Sequence, residues 1–244
     1  MISLYKKELA VFFSTIIGPL IIGLFLLING LLLWSDISQF NIAKNAYASM
    51  DAFFTLAPLL FIFFISAISM RSLSEEYNTG SIEILMTKPI TAYQIVLSKF
   101  LAILSLVFIS IIPTILYIIT IYFLGETIGN LDLAGISGSY IGLIMLSSIF
   151  ASIGVFASSI SKNQIVAFII GICISSTFYF GFDLLSKIQV LQSINLIVQK
   201  IGISYHYKIM SKGLLLISSI VYFLSLSFLF LKFSELIIIN KNND

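Results

Sequence analysis

Six long apolar stretches, separated by short polar passages, organise this chain. Positions 9–35, 52–70, 100–125, 133–161, 163–182 and 213–231 carry no charged side chain. A helix needs roughly 17–20 residues to cross a ~30 Å hydrocarbon core, and each stretch is long enough. None alternates apolar and polar positions as a half-buried strand does, and a helix satisfies its own backbone polar groups in lipid. The pattern predicts an all-α membrane protein, a single domain over 1–244 with spans near 11–34, 52–70, 100–124, 137–160, 164–183 and 213–231. The first stretch exceeds a signal-peptide core of about 7–15 residues and lacks a small-residue cleavage site, so it is expected to remain as the first membrane helix.

Composition strengthens that reading. Of 244 residues, 59% are hydrophobic and 10% charged, where a soluble domain has about 25% charged residues. The net charge of +2 is spread over loops, with no basic cluster of the kind that grips nucleic acid. Cys173 is the only cysteine, which excludes an intrachain disulfide, and it reads as a small buried apolar side chain. Lys6 and Lys7 precede the first span, so the positive-inside rule favours a cytoplasmic N-terminus, and six spans return the C-terminus to the same side. On that topology Lys6, Lys7, Arg71, Lys88, Lys99, Lys162, Lys232 and Lys241 are cytoplasmic, against Lys44, Lys187, Lys200, Lys208 and Lys212 outside.

The polar passages differ in character. The last outer loop, about 184–212, contains an apolar piece too short to span, with Val190, Leu191, Ile194, Ile197 and Val198 at helical spacing. It predicts a short interfacial or re-entrant helix before the sixth span, the alternative being a simple loop packed on the bundle. Spans four and five carry small residues one turn apart, including Gly138-x-x-x-Gly142, Gly154-x-x-x-Ser158 and Gly171-x-x-x-Ser175. Such spacing lets helix backbones approach closely in lipid, within the bundle or against a second subunit.

The passage from Arg71 to Lys99 holds six of the chain's charged residues, three basic and three acidic. Ser72-Leu-Ser-Glu75 matches a capping box, and Thr91-Ala-Tyr-Gln94 is a second, launching the third span. Gly80 allows a sharp bend, and Pro89 disfavours helix at Lys88. Between them Ile82, Leu85 and Met86 define one apolar face of a short helix, with Glu83 free to meet a basic partner. The passage therefore predicts an ordered helix–bend–helix–stop unit between spans two and three, offered to a soluble protein.

The arrangement Arg71-Ser-x-Ser74-Glu75-Glu76-x-x-x-Gly80-Ser81-x-Glu83-x-Leu85-x-x-x-Pro89-Ile-Thr91 resembles the cytoplasmic signature of ABC-2 type transporter permeases. The Tyr5-Lys-Lys-Glu-Leu9 start, the region from Phe40 to Glu76 and the Ser161–Phe168 turn resemble the gliding-motility-associated GldF branch of that family. The resemblance implies a coupling helix that docks on a separate ATPase subunit. It assigns Glu75, Glu76, Gly80, Ser81, Glu83 and Leu85 to the docking and coupling element, and Arg71 and Ser74 to the flank of a gate helix. It further implies a second permease subunit, a GldA-like ATPase that binds the ATP, a GldG-like auxiliary protein and a bacterial inner membrane. Where the family carries Lys or Arg after the acidic pair, this chain has Tyr77.

Other chemistry is absent from the sequence. There is no G-x-x-x-x-G-K-[ST] loop to cradle ATP phosphates, so no cofactor and no catalytic residue are expected in this chain. No H-E-x-x-H or G-x-S-x-G occurs, no metal site is expected, and the lone His206 reads as a bystander. The spans contain no mid-membrane ionisable residue, which argues against an ion-coupled carrier. Pro19, Pro58 and Pro113 fall within spans and are candidates for kinks. The leading expectation is a non-enzymatic permease subunit driven by a partner ATPase. The alternative is a structural or assembly subunit of a gliding or secretion machine that transports nothing.

Overall fold

A computed structural model describes residues 1–35, 40–42, 49–124, 131–188 and 194–243, and every regular element among them is helical. Helix α1 (Ile2–Ser14) is followed by α2 (Ile17–Trp34), with axes bent by 66°. The predicted first span is thus divided at Thr15–Ile16, just before Pro19, which has no N–H to return to the carbonyl of Thr15. Next come α3 (Asp51–Ser69), the short α4 (Ser74–Thr79) and α5 (Ser81–Met86), and α6 (Ala92–Ile111). A 3₁₀ turn at Ile112–Thr114, centred on Pro113, joins α6 to α7 (Ile115–Leu124). Helix α8 (Leu133–Ile160) is followed by α9 (Gln164–Ser176), a π-helical turn at Thr177–Gly181 and α10 (Phe182–Ser186). Helices α11 (Asn195–Ile201), α12 (Ile203–Met210) and α13 (Ile217–Asn243) complete the described chain.

Among the described residues, five helical runs are long and apolar enough to cross a membrane, or six if the bent α1–α2 pair is one span. Helices α3 and α8 form the interior, and α8 also touches α6, α9, α12 and α13. Large apolar side chains on α2, α9 and α13, such as Leu27, Ile169 and Val221, face outward. That is the distribution of a bundle solvated by lipid rather than water. Cys173, expected in the interior, is exposed on α9.

Small residues explain how α8 and α9 approach α3. A Cβ on Gly154 would overlap Ser69 Oγ, and one on Gly171 would lie 3.2 Å from Ser66 Oγ. Gly138 and Gly142 serve a different neighbour: they meet the Met210 carbonyl and the Tyr207 ring of α12. The buried hydroxyls of Ser147, Ser152 and Ser159 donate to the carbonyls of Ile144, Ile149 and Phe156 at 2.7 Å. They are satisfied within their own helix instead of lining a polar path.

At the α11–α12 end, Val190 and Leu191 of the expected apolar face lie outside the described residues, while Ile194 and Ile197 are exposed. Helix α12 packs inward through Ile203, Tyr207 and Met210. The Tyr207 hydroxyl donates to the Phe54 carbonyl at 2.7 Å, a group that Pro58, four residues on, cannot serve. His206, read from sequence as a bystander, is buried: its Nε2 bonds the Lys200 carbonyl at 2.9 Å and its Nδ1 meets Ser219 Oγ at 3.0 Å. A carbonyl only accepts, so Nε2 carries a proton and, in the neutral ring, Nδ1 accepts from the serine.

Candidate functional site

The polar passage lies at the opposite end of the bundle. Between α3 and α4 the chain leaves the helical path, and the exposed N–H groups of the new helix start need acceptors. Ser158 on α8 supplies one: its Oγ accepts from the N–H groups of Leu73 and Ser74, both at 2.9 Å, and donates to the Met70 carbonyl at 3.1 Å. The Ser74 hydroxyl also donates to Met70. The predicted Ser72–Glu75 capping box therefore does not form. Ser72 Oγ is buried with no hydrogen-bond partner among the described residues, and Glu75 accepts from Arg71 Nε and Nη2 at 3.0 and 3.3 Å. The second predicted box is present, with Thr91 and Gln94 bonding reciprocally at 3.3 Å to start α6.

Gly80 has φ +71°, the left-handed region in which side chains are strained, and it joins α4 to α5. Thr79 Oγ1 and Ser81 Oγ lie 3.0 Å apart across this bend. The apolar face predicted on α5 turns inward: Ile82 and Leu85 are buried in the core and Met86 is half-buried. Leu85 is thus a support for the short helix rather than part of its outer surface. Outward stand Glu83 and Ile84, the latter 66% exposed. A wide cavity of about 670 Å³ opens beside α5 between Tyr77, Glu83, Thr87, Lys162 and Lys241.

Glu76, which the resemblance assigns to the docking and coupling element, points into the protein. Its Oε1 lies 2.8 Å from Lys99 Nζ on α6, and the same ammonium lies 3.3 Å from Glu8 Oε1 on α1. The Lys99 side chain is 1% exposed and both carboxylate side chains 11%. Charges so removed from water persist only when paired, so this cluster ties α1, α4 and α6 together. Tyr77 fills the position where a cation is expected, and a cation comes from elsewhere. Lys241 Nζ on α13 sits 4.2 Å from the Tyr77 ring centroid, and donates to the Ser159 and Ile160 carbonyls at 2.8 and 3.0 Å. It closes the C-terminus of α8 while covering the aromatic face.

Of the residues singled out from sequence, Arg71 and Glu75 form one pair, Ser74, Gly80 and Ser81 shape the bend, and Glu83 is on the outer face. Glu8, Ile84, Ser158 and Lys241 were not assigned to this site from sequence. Glu8 carries a local signal, an acid directly before the first apolar stretch. The roles of the other three depend on helices far apart in sequence.

An apolar helical bundle with an ordered polar unit at one end, joined to the long helices through a buried ion cluster, defines a polytopic membrane protein. Residues 7–239 match the ABC-2 family transporter proteins, and the chain belongs to that family. It is a membrane permease component of an ABC transporter, with an ABC ATPase as its partner. No curated protein matches the chain.

Proposed function

We propose that α5 is the element through which a separate ATPase subunit drives this permease, the reading carried by its two-sided construction. One side is fixed in the bundle by Ile82 and Leu85, and the other presents Glu83 and Ile84. The adjoining cavity between Tyr77, Thr87 and Lys162 gives a partner room to seat. Force applied at α5 passes through Gly80 to α4, and from Glu76 through Lys99 to α6 and, by way of Glu8, to α1. ATP binds in the ATPase, and this chain supplies no catalytic residue. Two permease subunits form the membrane path, with both termini and the α5 end in the cytoplasm of a bacterial inner membrane.

The GldF resemblance supports a role in gliding motility, with a GldA-like ATPase and a GldG-like auxiliary protein. Replacing Glu83 by Lys reverses charge on the free face of α5 without touching its buried face. The expected result is loss of ATPase co-purification, or of permease-stimulated ATP hydrolysis, with membrane insertion unchanged. Wild-type coupling in Glu83→Lys would overturn the docking role of this face.

A further inference from the structure

The cavity of about 670 Å³ beside α5 is not evenly charged. Its floor is apolar, made by Ile82 and Met86 of α5 and by Ile238 of α13. On the α5 side its one charged residue is Glu83. The turn between α8 and α9 contributes Lys162, and α13 contributes Lys241 near its end, with no acid from either element among the described lining residues. Two ammoniums against one carboxylate leave the cavity with a net positive charge, gathered on the side away from α5.

The two lysines are held differently. Lys241 is pinned, donating to the Ser159 and Ile160 carbonyls while it covers the Tyr77 ring, so its charge cannot swing away from that of Lys162, which acts on it. Lys162 is exposed and makes no hydrogen bond or ion pair among the described residues. The turn that carries it is shaped rather than slack. Ser161 Oγ accepts from the Asn163 N–H at 3.0 Å, and Asn163 Oδ1 accepts from the Ile165 N–H at 2.9 Å. An apolar floor with a polar rim is the anatomy of a protein interface, and like charges gathered at one part of a rim select a partner of opposite sign.

We propose that this cavity seats an acidic segment of the ATPase subunit, whose carboxylate pairs with Lys162 beside the fixed charge of Lys241 while a neighbouring apolar side chain covers Ile82, Met86 and Ile238. The proposal rests on the reading of α5 as the driven element and gives that contact a polarity. The partner brings its acid to the α9 and α13 side and its base to Glu83. A segment docked the other way round sets acid against Glu83 and base against two lysines, which the interface disfavours.

The test is titration of the cognate ATPase onto the full chain in lipid nanodiscs, at low and at high salt. Lys162→Glu, at an exposed position with no internal partner to lose, should bind the ATPase roughly ten-fold more weakly at low salt, and the gap should narrow at high salt. Lys162→Arg should bind as the wild type does, and so should Lys212→Glu, the same charge change at the other end of the bundle. Wild-type affinity in Lys162→Glu would overturn the proposal, as would tighter binding or an equal loss in Lys212→Glu. Loss of permease self-association in Lys162→Glu, with ATPase affinity unchanged, would give the cavity to a second copy of the chain and overturn it too. Glu83→Lys in the same titration separates this contact from the docking of α5. Weakened binding in Glu83→Lys with wild-type affinity in Lys162→Glu removes the acidic contact alone, whereas wild-type affinity in both removes the docking role as well.

Discussion

Lys99 is the residue on which the end of the bundle bearing α5 converges. It is almost fully buried, and its partners come from α1 and α4. Removing one member of a buried ion pair costs about 3–5 kcal/mol, because the remaining charge is stranded. Lys99→Met should therefore lower thermal stability sharply. The triple replacement Lys99→Met, Glu8→Gln and Glu76→Gln should recover most of the loss, since it removes the charges as a set. Thermal melts of the single and triple variants in one detergent check this, and a triple variant no more stable than Lys99→Met would contradict the paired-charge reading. Ser158 shows why such residues escape a sequence reading. Its hydroxyl does the work predicted for Ser72, from a position 84 residues from Ser74. Thr91 and Gln94 were legible because both halves of their motif lie within one helical turn.

At the scale of elements, the short α5 was legible in its existence and not in its orientation. The spacing of Ile82 and Leu85 marks an apolar face, but spacing alone does not say whether a partner or the protein's own core covers it. The core does, which leaves Glu83 and Ile84 outside and turns Glu76 inward. The bend before α5 depends on Gly80 for its backbone conformation rather than for room, since beyond its chain neighbours no atom of the described residues lies within 4 Å of an added Cβ. A side chain in left-handed geometry costs about 1–2 kcal/mol. Gly80→Ala should thus leave the melting of the membrane bundle nearly unchanged while reorienting α5. The expected outcome is reduced stimulation of the ATPase, measured in reconstituted complexes beside a thermal melt. Full stimulation would show that the angle of α5 does not matter.

For the whole molecule, hydrophobic pattern was sufficient for the class, because lipid leaves the backbone few solutions. It predicted a continuous first span, whereas the chain turns by 66° between α1 and α2. An uninterrupted run of apolar residues does not reveal where within it a helix breaks. The small-residue stripes were visible, but one serves α3 and another serves α12, a distinction that only packing makes. The result is a permease with two different ends. At one, α12 closes on the bundle through Tyr207 and His206. At the other, α5 stands out on a base of buried charge.

On the proposed function, an ATPase meets the chain at the outer face of α5. Site-directed cross-linking tests it most directly, with Ile84→Cys in a Cys173→Ser background, a bifunctional maleimide and the cognate ATPase carrying a single cysteine at its contact surface. The predicted result is a permease–ATPase adduct from Ile84→Cys, and none from Lys212→Cys at the opposite end. An adduct from Lys212→Cys with none from Ile84→Cys would contradict it.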